Sequence, residues 1–194
     1  MVELSLRVHP DEVCLVPERR QELTTEGGLD VAAHFDRLKP IINRLKQSRI
    51  LVSLFVDPEL AQIKAAADLA ADYVELHTGT YANFTDGAQC AADGASFSGR
   101  AQAKAQDKAG EELEKLRNAA KQARALKLKP NAGHGLNYQN VVAVTEIPGL
   151  QWLHIGHSII ARALMVGMTR AVREMKFLIN QPVLKTAHAR RSRR

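Results

Sequence analysis

The 194-residue sequence predicts an α/β protein built around a parallel sheet, on three observations. Short β-rich apolar runs recur along the chain, each closed by turn residues on its C-terminal side. Longer stretches with apolar residues at helical spacing lie between them. The two alternate through five strand–helix units. Strict alternation argues for parallel strands joined by helical crossovers, either doubly wound or closed as a barrel.

Taken in order, Val2 to Val8 carries neither a cap nor a strand pattern and reads as the end of a helix. Glu12-Val13-Cys14-Leu15-Val16 is the first strand, stopped by Pro17. Asp36 to Lys46 is helical, with Pro40 near its start or kinking it. Ile50 to Val56 is the second strand, ended by Asp57-Pro58. Asp57 then caps a helix with Pro58 at its first position and Leu60, Ile63, Ala67 and Ala70 on one face. Tyr73 to His77 is the third strand and stops at Thr78-Gly79. Residues 81–106, rich in Ala, Gly, Ser, Asn and Asp, read as one long loop, either functional or disordered. Glu111 to Leu126 returns to helical spacing through Leu113, Leu116, Ala120 and Ala123. Leu126 to Asn131 is the fourth strand and Asn137 to Thr145 allows a short helix. Gln151 to Ile155 is the fifth strand, ended by Gly156, and Ser158 to Asn180 reads as one long amphipathic helix.

Composition narrows the function classes. With 45% apolar, 25% charged and 5% aromatic residues, the chain is ordinary for a globular domain and excludes collagen-like or disulfide-scaffold architectures. No apolar run approaches the ~18 residues of a membrane span, and no leader pattern opens the chain. Cys14 and Cys90 stand far apart without a C-x-x-C partner, so a cytoplasmic protein without a zinc site is expected. The net charge is +6, but Lys185, Arg190, Arg191, Arg193 and Arg194 carry five of those charges in residues 181–194. The expectation is a nearly neutral body, residues 1–180, and a basic, disordered tail, with neither nucleic acid nor membrane as partner.

In parallel α/β folds chemistry gathers where strands end. After the first strand, Thr24-Thr25-Glu26-Gly27-Gly28 is a flexible polar loop, read either as a ligand cover or as solvated surface. Period-2 alternation points Tyr73, Glu75 and His77 to one face and Val74 and Leu76 to the other. Glu75 in mid-strand is costly to bury alone, so it is either functional or a hydrogen-bonded core acid. Asn131-Ala-Gly-His-Gly-Leu136 exposes His134 between two glycines at a strand end, as a proton-transfer residue needs. His154-Ile155-Gly156-His157-Ser158 joins the last strand to the last helix, where open amides and the helix dipole form an anion site for a phosphate-bearing substrate. His154 itself reads as packing against neighbouring helices, and His9, His34 and His188 as surface residues.

These motifs resemble the pyridoxine 5′-phosphate synthase family of vitamin B6 biosynthesis. The resemblance rests on Cys14-Leu-Val-Pro-Glu-Arg-Arg-Gln-Glu-Leu-Thr-Thr-Glu-Gly-Gly-Leu-Asp30, Val52-Ser-Leu-Phe-Val-Asp57, Glu75-Leu-His-Thr-Gly-Thr-Tyr81, Asn131-Ala-Gly-His-Gly-Leu136 and Ile155-Gly-His-Ser-Ile-Ile160. It implies a (β/α)8 TIM barrel, of which this chain holds about five β/α units equivalent to strands four to eight. It also implies condensation and ring closure of 3-amino-2-oxopropyl phosphate with 1-deoxy-D-xylulose 5-phosphate, giving pyridoxine 5′-phosphate, phosphate and water. By resemblance His134 is the proton donor and Glu75 stabilises the transition state. Thr24 contacts the deoxyxylulose phosphate, and Gly135, Gly156 and His157 contact the aminoketone phosphate. Neither a metal nor an organic cofactor is implied, and a homo-oligomer is. The family's first three strands, with two general bases, have no counterpart here. The expectation is therefore an N-terminally truncated synthase of impaired activity. The alternative is a catalytically dead phosphometabolite-binding or subunit-interaction fragment.

Overall fold

The computed structural model describes residues 2–17, 27–92 and 99–180. Its strands are β1 (Glu12–Leu15), β2 (Leu51–Val56), β3 (Tyr73–His77), β4 (Lys129–Gly133) and β5 (Leu153–His154). Its helices are α1 (Val2–Val8), α2 (Phe35–Gln47), α3 (Leu60–Asp68), α4 (Gly79–Ala92), α5 (Gly99–Ala125), α6 (Val141–Thr145), α7 (His157–Val166) and α8 (Met168–Ile179). The strands form one sheet in the order β1-β2-β3-β4-β5, every neighbouring pair parallel. Sequential order without a reversal is the winding of a barrel wall; a doubly wound sheet reverses at a switch point. The sheet curls as an open half-barrel, with β1 and β5 at its edges.

The pleat gives the sheet two chemically distinct faces. Outward-pointing Val52, Leu54, Val56, Val74, Leu76 and Ala132 belong to the main apolar core. Helices α2 and α3 pack on β2, and α5 packs on β3 and β4. Ile42, Leu45, Ile63, Leu116, Ala120 and Ala123 supply the helical side of that core and are fully or almost fully buried. The inward face carries Cys14, Ser53, Phe55, Tyr73, Glu75, His77, Asn131, Gly133 and His154 in register. Pro40 sits inside α2, where it removes the bond to the Asp36 carbonyl. The helix continues because Leu38, Ile42 and Leu45 anchor it to the core.

Three expectations are corrected. Residues 81–106 are not one loop: α4 runs through Ala92 and α5 begins at Gly99. Alanine is the best helix former, and the many alanines here outweigh the intervening Gly, Ser and Asn. Asp57 does not cap α3, whose N-cap is Glu59, because its carboxylate is engaged across the sheet. The helix expected over Ser158–Asn180 is two helices, broken at Gly167 with φ 84° and ψ 151°. That backbone region is open essentially to glycine alone. A Cβ at Gly167 would meet nothing within 4 Å, so the only cost of a side chain there is conformational. Gly167→Ala is expected to destabilise the fold by about 1–2 kcal/mol, read as a lower urea midpoint with an unchanged slope. The tail expected over residues 181–194 lies outside the described residues.

Candidate functional site

Glu75 sits in the middle of the central strand and is only 9% exposed. Its Oε2 accepts a hydrogen bond from His154 Nδ1 at 2.7 Å and a weaker one from the Cys14 thiol at 3.5 Å. The donors come from β5 and β1, the two edge strands, so the curl of the sheet converges on this carboxylate. The register explains how Glu75 reaches His154. His77, Gly133 and His154 occupy one inward layer, while Glu75 lies one layer earlier, beside Phe55 and Asn131. Glycine at 133 leaves room for the carboxylate to rise between the two histidines. A Cβ there would lie 2.3 Å from Glu75 Oε1 and 3.0 Å from His154 Cβ. The Glu75 hydrogen bond holds the His154 pKa above its ordinary value, against the opposing effect of partial burial. Burial, reinforced by the Glu75 charge, pushes the Cys14 thiol up to about 12. Cys14 is therefore a donor and not a nucleophile at neutral pH.

A second carboxylate–imidazole pair stands at the ends of β2 and β3. His77 Nδ1 lies 2.9 Å from Asp57 Oδ1, which also accepts the Gly28 N–H at 3.1 Å. The His77 bond, with the Gly28 amide, holds the Asp57 carboxyl below its ordinary 3.8 despite partial burial. A depressed carboxyl pKa contributes stability that is complete above the unfolded value and fades as pH falls through the folded one. Asp57→Asn should therefore lower the urea midpoint by a constant amount above pH 3.8, and the gap should close as pH falls further. Urea titrations across that range test it.

His134 follows β4 with φ 77°, and Gly135 continues with φ 78°. Thr78 fixes this left-handed turn: its N–H and Oγ1 donate to Gly133 O at 2.9 and 2.7 Å, and Oγ1 also reaches His134 O. The His134 ring lies 5.1 Å from that of His77, centroid to centroid. Helix α7 opens at His157 behind Gly156, and among the described residues no side chain caps it, which leaves its first N–H groups to a ligand. Ser158 instead donates to Leu136 O at 2.8 Å, tying this helix start to the loop after β4.

Glu75, His134, Gly135, His154, Gly156 and His157 line one cavity of about 990 Å³, together with Gly27 and Gly28. Five of the six sequence-predicted site residues thus share a cavity; the sixth, Thr24, lies outside the described residues. Sequence reasoning missed His154, which contacts Glu75 instead of neighbouring helices, and the Asp57–His77 pair. The signal for His77 was present in its alternation with Glu75. Nothing in the sequence revealed the register that sets His154 beside Gly133. Among the described residues no group of three or more His, Cys, Asp or Glu side chains could hold a metal ion. Among the same residues no helix is long and apolar enough to cross a membrane.

Comparison with known proteins places these motifs in a family. Residues 1–181 match the family model described as Pyridoxal phosphate biosynthesis protein PdxJ. Pyridoxine 5′-phosphate synthase of Parasynechococcus marenigrum (strain WH8102) is 50% identical over 184 residues, covering 95% of this chain and 66% of the relative. The proteins of the same name from Synechococcus sp. (strain JA-2-3B'a(2-13)) and Synechocystis sp. (strain ATCC 27184 / PCC 6803 / Kazusa) are 50% and 49% identical. Each match covers 91% of this chain, and 66% and 65% of those relatives. The chain thus spans just under two thirds of the length of the curated relatives it matches.

Proposed function

The chain belongs to the Pyridoxal phosphate biosynthesis protein PdxJ family, and on that premise we propose that its cavity serves pyridoxine 5′-phosphate synthesis. The substrates are 3-amino-2-oxopropyl phosphate and 1-deoxy-D-xylulose 5-phosphate, and the products are pyridoxine 5′-phosphate, phosphate and water. The observation that carries this reading is the convergence of Glu75, His134 and the uncapped start of α7 on one cavity. Condensation, phosphate loss and dehydration each move protons, and an imidazole in the cavity supplies a proton carrier. His134 donates protons and Glu75 stabilises the charge that develops. Gly135, Gly156 and His157 hold the aminoketone phosphate, which suits the amides and positive end of α7. Thr24 contacts the deoxyxylulose phosphate. The same reading takes the chain as a cytoplasmic homo-oligomer, and the unbridged Cys14 suits a reducing compartment.

The test is to incubate the purified chain with both substrates and follow pyridoxine 5′-phosphate by chromatography and released phosphate by colorimetry. The two products should appear together and only when both substrates are present. Binding of either phosphate ester without product would favour a phosphometabolite-binding role, and neither binding nor product would remove the reading.

A further inference from the structure

Glu75 and His154 differ in how they meet the cavity. The carboxylate is nearly buried, and its Oε2 is already shared between His154 Nδ1 and the Cys14 thiol. The His154 side chain is 42% exposed and lines the cavity, with only Nδ1 committed to a hydrogen bond among the described residues. A ring held through Nδ1 by a carboxylate has a fixed orientation and presents Nε2 to whatever lies in front of it. His154 stands two residues before Gly156, on the same cavity wall as the start of α7.

We infer that Glu75 and His154 form a carboxylate–histidine dyad in which Glu75 exerts its charge-stabilising effect through His154, as a positioning residue, and His154 Nε2 is the atom that meets the substrate. The inference deepens the synthase reading and rests on it for the identity of the substrate. In the step it assigns, Nε2–H gives its proton to a substrate oxygen. The N–H bond breaks, an O–H bond forms, and the ring is left neutral against an unchanged Glu75 carboxylate. His154 would thus be a second proton carrier beside His134 in a reaction that needs several transfers. The groups bearing on its charge are Glu75 on β3 and Glu12 and Cys14 on β1, with His134 and His157 sharing the cavity. Glu75 and Glu12 both favour the charged ring.

Two measurements on the full chain test this. In ¹⁵N-detected imidazole titrations, Glu75→Gln should move the His154 midpoint toward lower pH, and the alkaline limb of kcat should move with it. In kinetics, Glu75→Gln and His154→Gln should each lower kcat by about 10²-fold, and the double variant should lose little more, as groups acting as one unit do. Losses that multiply in the double variant would overturn the dyad, as would a His154 midpoint unmoved by Glu75→Gln. If the wild-type chain makes no product, the synthase reading fails, and the imidazole titration then decides the pairing by itself.

Discussion

His134→Asn is expected to lower turnover by about 10²–10⁴-fold while leaving stability within about 0.5 kcal/mol of wild type. The separation follows from how the turn is made. Thr78 holds the Gly133 and His134 carbonyls through backbone acceptors, so the loop geometry does not depend on the side chain at 134. Residue 134 must adopt φ 77°, and asparagine tolerates that region better than alanine does. Asparagine retains a polar, hydrogen-bonding group but cannot carry a proton through a transition state. Steady-state kinetics at saturating concentrations of both substrates, alongside urea unfolding, is the measurement. Turnover within twofold of wild type would remove His134 from the chemistry.

Gly133→Ala should damage stability and site together. The added Cβ would sit 2.3 Å from Glu75 Oε1 and 3.0 Å from both Cβ and the carbonyl oxygen of His154. Atoms cannot remain at 2.3 Å, so the carboxylate must leave the gap between the two histidines or β4 must shift against β5. Overpacking of this kind costs about 1–3 kcal/mol. Displacing a group that positions the chemistry by a fraction of an ångström to one ångström costs up to about 10²-fold in rate. The expected result is a lower urea midpoint, a fall in kcat/KM, and a His154 ring that titrates closer to free imidazole. An alanine variant with wild-type stability and rate would show that the carboxylate does not occupy that gap.

The strands were the most legible part of the chain because their signal is local. Val74 and Leu76 announce a buried face by period-2 spacing, and Ile50 to Val56 announces a strand as a run of β-formers stopped at Asp57-Pro58. The structure buries Val52, Leu54, Val56, Val74 and Leu76 in the core. Helix α5 was half legible: Leu113, Leu116, Ala120 and Ala123 mark its buried stripe, whereas its first turns have no stripe to read. The break at Gly167 was hidden because apolar spacing continues from α7 into α8 and one glycine scarcely interrupts it. At the site, His134 and Gly156 were legible as strand-end residues, and Glu75 as a mid-strand acid that no core would choose. Asp57, His77 and His154 were harder, since their meaning lies in partners 20 and 79 positions away along the chain. Such pairings depend on strand register, and register is a property of the assembled sheet.

The two faces of that sheet also have a consequence for protein engineering. Residues that hold the fold and residues that line the cavity alternate along the same strands yet point in opposite directions. Library diversity placed on the outward positions of β2 and β3 would tune thermal tolerance with little cross-talk to chemistry. Diversity at Phe55, which lines the cavity, would sample new ligands on an unchanged scaffold. Gly133 is the exception: it lies where the two sets interlock, and it should stay fixed in either campaign.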